Sequence, residues 1–73
     1  MARLGYNSEN GRYGILSSMD LWEDDGLHCG EMLEAKINDE WVRDRIEMNR
    51  AGEWYLVYSK IVGNDLEYLQ VRY

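Results

Sequence analysis

Met32-Leu33-Glu34-Ala35-Lys36-Ile37-Asn38-Asp39-Glu40-Trp41-Val42-Arg43-Asp44-Arg45-Ile46-Glu47-Met48 is the stretch on which the fold class turns. Its first half alternates with a period of two. Leu33, Ala35 and Ile37 share one face of a strand, and Glu34 and Lys36 the other. Asn38-Asp39 is a two-residue hairpin turn. Residues 41–48 then form the return strand, with Val42, Ile46 and Met48 on the buried side. Asp44 falls on that side as well and is a misfit. A rival reading makes residues 39–51 a helix, capped by Asp39, with Glu40 at its positive end, Arg50 near its negative end and Gly52 after it. The helical face (Trp41, Val42, Arg45, Ile46, Asn49) is apolar only in part, which favours the hairpin.

Working outward, residues 4–6 and 12–16 read as strands around an Asn10-Gly11 turn. Residues 17–30 are irregular, with Ser18 capping one helical turn through Met19-Asp20-Leu21-Trp22 and Gly26 past its end. Residues 49–52 are a turn. Glu53-Trp54-Tyr55-Leu56-Val57-Tyr58 carries the strongest strand composition in the chain. Gly63-Asn64-Asp65 turns it, and residues 66–73 close the fold as a last strand. The expectation is one all-β domain over residues 1–73 with five to six short strands. Its architecture is an SH3-like barrel or a strongly bent antiparallel sheet.

The chain has 73 residues, no proline and one cysteine. Cys29 alone cannot form an internal disulfide. With His28 the sole histidine, the usual zinc arrangements are excluded. A lone cysteine suits a reducing compartment. No run approaches the ~20 apolar residues of a membrane span. The start, Met1-Ala2-Arg3-Leu4, turns polar by Asn7 and carries no signal-peptide core. The expected location is cytoplasmic, with no membrane partner and no cofactor. Fourteen Asp and Glu against eight Lys and Arg give a formal charge of −6. That balance disfavours generic nucleic-acid binding and suits a partner with a basic surface.

Several features hold candidate chemistry. His28-Cys29 is a poor nucleophile pair, because adjacent residues on extended chain point apart and nearby acids raise a thiol pKa. A buried structural thiol is the expectation there. Glu23-Asp24-Asp25 lacks the alternating ligand spacing of a calcium loop, so no metal site is assigned. The same loop reads as a docking surface: Asp20, Glu23, Asp24, Asp25 and Glu31 surround Trp22, and hot spots favour Trp within a polar ring. Trp41, Arg43 and Arg45 share one face of the proposed return strand and form an alternative, single-stranded nucleic-acid platform. Glu40, Glu47 and Glu53 lie near enough to pair with these arginines instead. Tyr55, Tyr58, Tyr68 and Tyr73 offer a further platform, for which core packing is the expected use. No residue pattern marks an active site, and a chain this short has little material to wall a cleft around paired carboxylates. No catalytic residues are assigned, and the expectation is not an enzyme.

Several stretches resemble a small domain family of unknown function found in Firmicutes, often in mobile genetic elements. They are Leu4-Gly5-Tyr6-Asn7, Gly11-Arg12-Tyr13-Gly14, Leu27-His28-Cys29-Gly30-Glu31, Glu40-Trp41-Val42, Arg45-Ile46-Glu47-Met48, Gly52-Glu53-Trp54-Tyr55-Leu56-Val57 and Leu66-Glu67-Tyr68-Leu69-Gln70-Val71-Arg72. The resemblance implies a recurring domain with no established activity and so supplies no catalytic residues. Relatives often carry proline at the place of Arg43, which fits a strand better than a helix. The best-supported function is a non-enzymatic protein-interaction module: an acidic inhibitor or regulator that occupies a basic nucleic-acid-binding groove, as an anti-CRISPR protein would. The alternative is an SH3-like nucleic-acid-binding domain. With so small a core, a homodimer through the Tyr-rich last strand is a further expectation.

Overall fold

Residues 32–48 fold as a β-hairpin. The computed structural model, which describes residues 1–72, pairs the two halves antiparallel, from Ile37↔Glu40 at the turn to Met32↔Arg45. Asn38 and Asp39 both take positive φ, 50° and 66°. A two-residue turn needs such a pair to follow the strand twist. The rival helix over 39–51 is therefore excluded. An apolar stripe interrupted by Arg45 and Asn49 gives a helix too little surface to bury, whereas the period-two pattern places Ala35, Leu33 and Ile46 inside together.

In chain order the strands are β1 (Arg3–Asn7), β2 (Arg12–Leu16), β3 (Trp22–Asp24), β4 (Met32–Ile37), β5 (Glu40–Met48), β6 (Trp54–Leu56) and β7 (Val71–Arg72), with a 3₁₀ helix at Gly63–Leu66 before β7. They form two antiparallel sheets, β1-β2-β3 and β6-β5-β4-β7. An Arg3↔Gln70 bridge joins them, helped by Leu4 N–H donating to the Leu69 carbonyl at 2.8 Å and Tyr68 N–H to the Leu4 carbonyl at 2.9 Å. Neither sheet closes on itself, so the strongly bent sheet, not the closed barrel, describes the chain.

Three local expectations are corrected. Residues 19–22 do not make a helical turn. The Ser17 hydroxyl accepts from Met19 and Leu21 N–H, and Asp20 takes a φ of 62°, so the chain reverses and returns as β3 beside β2. The last strand is confined to Val71–Arg72 because Leu66 ends the 3₁₀ helix and Tyr68 has a φ of 65°. Strand β7 is flanked by β4 on one side and bridged to β1 on the other. It thus offers no open edge among the described residues for the expected dimer. Met48, assigned to the buried side, is exposed at the end of its strand.

The core is one cluster: Leu4, Tyr13, Ile15, Leu27, Leu33, Ala35, Ile46, Trp54, Leu56, Leu66 and Val71. Leu27 comes from the irregular 17–31 segment and is fully buried. Burying one leucine contributes about 1.5–3 kcal/mol toward holding that segment against the sheets. Tyr13 Oη donates to the Gly63 carbonyl at 3.1 Å, and Trp54 Nε1–H to the Gly11 carbonyl at 2.9 Å. Each aromatic thus satisfies its polar atom across the two sheets.

The misfit Asp44 is buried, with 2% of its surface exposed. Its carboxylate accepts from Arg45 N–H at 2.8 Å, Tyr58 N–H at 2.8 Å, Ser59 N–H at 2.8 Å and Ser59 Oγ–H at 2.7 Å. Burial by itself would raise its pKa. The Ser59 hydroxyl and the three amides outweigh that and hold it below the ordinary value. A depressed folded-state pKa gives stability that is present above the unfolded value of about 3.9 and lost as pH falls through the folded one. Asp44→Asn leaves amide donors facing an NH₂ group. It should lower unfolding free energy at pH 7 by about 2–3 kcal/mol, and the gap from the parent should narrow below pH 4 or so. Urea unfolding of both proteins at pH 7, 5 and 3 checks this. A gap that stays constant with pH would refute the role of the charge.

Candidate functional site

The acidic segment is built around one hole in a sheet. Gly5 and Gly14 are cross-strand partners in β1 and β2. Alternation places them on the face opposite Leu4, Tyr13 and Ile15. The Trp22 indole lies over Gly14 and reaches Gly5, whose nearest neighbour is the Leu16 side chain. A Cβ on Gly14 would fall 2.9 Å from Trp22 Cζ3, and one on Gly5 3.5 Å from Trp22 Cη2. The indole is therefore seated outside the core, 42% exposed, beside Leu21 at 64% and Met19 at 78%. Three large apolar residues within four positions are thus left to solvent.

The carboxylates near it have divided roles. Asp20 pairs with Arg3. Asp24 Oδ1 accepts from Gly26 N–H at 3.0 Å. The side chains of Glu23 and Asp25 are exposed, while the Asp25 carbonyl accepts from the Asn7 and Asn10 side chains. Glu31 is not part of this group. Its Oε2 accepts from His28 N–H at 2.6 Å, and its carbonyl accepts from Ile46 N–H, so it belongs with the second sheet. Thus the structure gathers Trp22 with Asp20, Glu23 and Asp24 around β3, leaves Asp25 just past the strand, and separates Glu31.

The outer face of β6-β5-β4-β7 carries the second candidate. Trp41, Arg43, Arg45 and Glu47 alternate outward from β5, opposite Lys36, Glu34 and Met32 of β4. Arg72 of β7 lies opposite Glu34. Four of the eight Lys and Arg residues in the chain thus share one sheet face with two carboxylates. Much of this charge is already matched. Arg45 pairs with Glu47 at 2.9 Å and Arg72 with Glu34 at 2.7 Å. The Arg72 guanidinium lies 4.1 Å over the Trp41 ring, and Lys36 Nζ 5.8 Å from it. Sequence spacing identified Trp41, Arg43 and Arg45. Lys36 and Arg72 join them only through strand register.

Two of the clefts on the surface involve these residues or lie near them. One, of about 420 Å³, is lined by Met32, Arg43, Asp44, Arg45, Val57 and Tyr58. The other, of about 290 Å³, is lined by Tyr6, Tyr13, Gly52, Glu53, Trp54, Gly63, Asn64 and Glu67. Sequence reasoning missed the second, since its walls come from four separate segments. The tyrosine expectation is corrected: Tyr58 and Tyr68 are exposed, not packed in the core, because each sits at or beside a turn with positive φ, at Lys60 and Tyr68. Tyr73 lies outside the described residues. Cys29 is also corrected. It is exposed, at the tip of a turn closed by Glu31 N–H donating to the His28 carbonyl. Arg12 Nη1 lies 3.1 Å from His28 Nε2. Among the described residues no group of three or more His, Cys, Asp or Glu could hold a metal ion, and no helix is long and apolar enough to cross a membrane.

A crystal structure of a protein from Ruminococcus gnavus, a structural-genomics target, is similar over 100% of both chains, at 39% sequence identity and a TM-score of 0.78. No curated protein matches the chain. The family described as Domain of unknown function (DUF5348) matches residues 2–73, and the chain belongs to that family.

Proposed function

We propose that this is a non-enzymatic docking module whose working surface is the Trp22 patch on β3, with Met19 and Leu21 beside it and Asp20, Glu23, Asp24 and Asp25 around it. The observation that carries the reading is the seat of Trp22 on the paired glycines Gly5 and Gly14. An exposed indole held against backbone loses little further freedom on binding, so its apolar area converts efficiently into affinity. The exposed carboxylates of Glu23 and Asp25 add long-range attraction for a basic partner surface. The partner in this reading is a protein with a basic, nucleic-acid-binding groove, and the domain acts as its inhibitor or regulator. A setting in mobile genetic elements, implied by the resemblance, would make host-defence nucleases the natural class of target. Glu31 takes no part, because it closes the His28 turn on the other sheet. A cytoplasmic location fits a protein with one exposed, unpaired thiol.

A second reading has one observation in its favour: Lys36, Arg43, Arg45 and Arg72 lie on one sheet face with Trp41. Single-stranded nucleic acid could lie across it. The Glu34 and Glu47 pairs and the guanidinium already over Trp41 weigh against it.

Two measurements separate the readings. Affinity capture with the tagged domain should retain a basic protein. Retention should fall at least about ten-fold for Trp22→Ala, the loss of one anchor residue, and for Glu23→Lys combined with Asp25→Lys. Asp24 is left intact because it caps Gly26. Undiminished capture by both variants would dispose of the β3 surface. Titration with short single strands at rising salt tests the other face, which requires measurable affinity that declines as salt increases. No binding at low salt removes that reading.

A further inference from the structure

We propose that the cleft between the two sheets, walled by Tyr6, Tyr13 and Trp54 and flanked by Glu53 and Glu67, is a seat for a guanidinium group. It is separate from the β3 surface. Tyr6 and Tyr13 are paired across β1 and β2 on the core side, whereas Trp22 lies on the opposite side of those strands. Failure of one site therefore leaves the other standing.

The cleft is an extension of the core that was left open. Tyr13 and Trp54 are buried, at 4% and 7% exposure, while Tyr6 is 47% exposed. The Tyr6 and Tyr13 rings meet edge to face, 5.3 Å between centroids and 65° between planes. Three aromatic rings thus border a space of about 290 Å³, which exceeds the size of one guanidinium and leaves room for the start of its alkyl stem. Ring faces attract cations through their quadrupoles.

The charges around it are all of one sign. Glu53 and Glu67 line the cleft, and none of the Lys or Arg residues does. Each carboxylate uses one oxygen within the fold: Glu67 Oε1 accepts from Tyr6 N–H at 3.0 Å, and Glu53 Oε1 accepts from Asn49 Nδ2 at 3.3 Å. The second oxygen of each makes no hydrogen bond among the described residues. Those internal bonds hold the carboxylates in place before any ligand arrives. The environment is also felt by the Tyr13 hydroxyl, whose pKa is raised by burial and then by the neighbouring Glu67 charge.

Guanidinium is preferred to other cations on chemistry. It is flat, stacks on aromatic rings and donates several N–H bonds in a fork that suits carboxylates. A quaternary ammonium would satisfy the rings but donate nothing to Glu53 and Glu67. A divalent metal would need more oxygen ligands than two carboxylates provide.

The test is an NMR titration of the ¹⁵N-labelled domain with capped arginine, Nα-acetyl-arginine-N-methylamide. The Trp54 indole N–H, bonded to Gly11, and the amides of Gly52 and Gly63 are built-in reporters. Saturable shifts at these three, absent with the neutral citrulline analogue and weaker with tetramethylammonium, are expected. Glu53→Gln and Glu67→Gln should each weaken the arginine probe about five-fold, the scale of one partly exposed charge-assisted hydrogen bond. Unmoved indole signals of Trp22 and Trp41 certify that the variants fold. An arginine-containing peptide that binds more tightly than the capped residue identifies a protein ligand, and equal affinity identifies a free guanidine. The proposal is overturned by no saturable shift up to about 50 mM, weaker than any useful affinity. It is equally overturned by citrulline or tetramethylammonium binding as tightly as arginine, or by glutamine variants that bind unchanged.

Discussion

The carboxylate of Asp44 is the constraint on which the second sheet depends. Strand β6 is only three residues long, and three residues of antiparallel pairing do not hold a turn in place. Asp44 reaches from the middle of β5 to the 57–60 turn and accepts from Tyr58 and Ser59, 14 and 15 residues away. The turn is completed by Lys60 N–H donating to the Leu56 carbonyl, with Lys60 at a φ of 58°. Buried charge is costly unless fully hydrogen-bonded, and four donors meet that condition. The charge thereby substitutes for strand length in a chain too short to build more sheet.

Legibility followed sequence separation. Residues 32–48 could be read because the pattern, the turn and the pairing are all local, and Asn38-Asp39 needed only two residues to declare itself. Asp44 looked like an error for the opposite reason: apart from the adjacent Arg45 N–H, its donors lie in a turn 14 and 15 residues away, and nothing near it in sequence predicts them. Strand β3 was hidden because Ser17 caps a reversal at 17–21 with the same side-chain chemistry that starts a helix. Its partner glycines, Gly5 and Gly14, gave no sign that an indole would fill their place. Among the surfaces, alternation was enough to put Trp41, Arg43 and Arg45 on one face. Adding Lys36 and Arg72 required the register of β4 and β7. The cleft at Tyr6 and Tyr13 was invisible, since Trp54 reaches it over 43 residues and Gly63 over 50.

The fold also sorts charge. Cations are concentrated on the outer face of β4, β5 and β7, where Glu34 and Glu47 pair with two of them. Carboxylates dominate the β3 segment and the cleft. In a chain of formal charge −6, this separation leaves two acidic regions on opposite sides of β1 and β2. Each contains an aromatic group whose position is fixed by backbone: Trp22 by the glycine pair, Trp54 by its bond to Gly11. Fields from such regions act over roughly a Debye length, about 8 Å at physiological salt. Charge therefore guides approach, and the rings decide what stays.

Incomplete closure explains why the cleft exists. A closed barrel of this size fills its interior with side chains. Here the two sheets meet along one line, from Arg3↔Gln70 to the Leu4 and Leu69 hydrogen bonds. On the far side they are spanned by the Tyr13–Gly63, Trp54–Gly11 and Tyr6–Glu67 hydrogen bonds. Those bonds bridge the sheets without sealing the gap, and the 290 Å³ cleft is what remains of it. Lining it with rings, two of which satisfy their own polar atoms, and flanking it with carboxylates already bonded to Tyr6 and Asn49, gives the opening a defined chemistry.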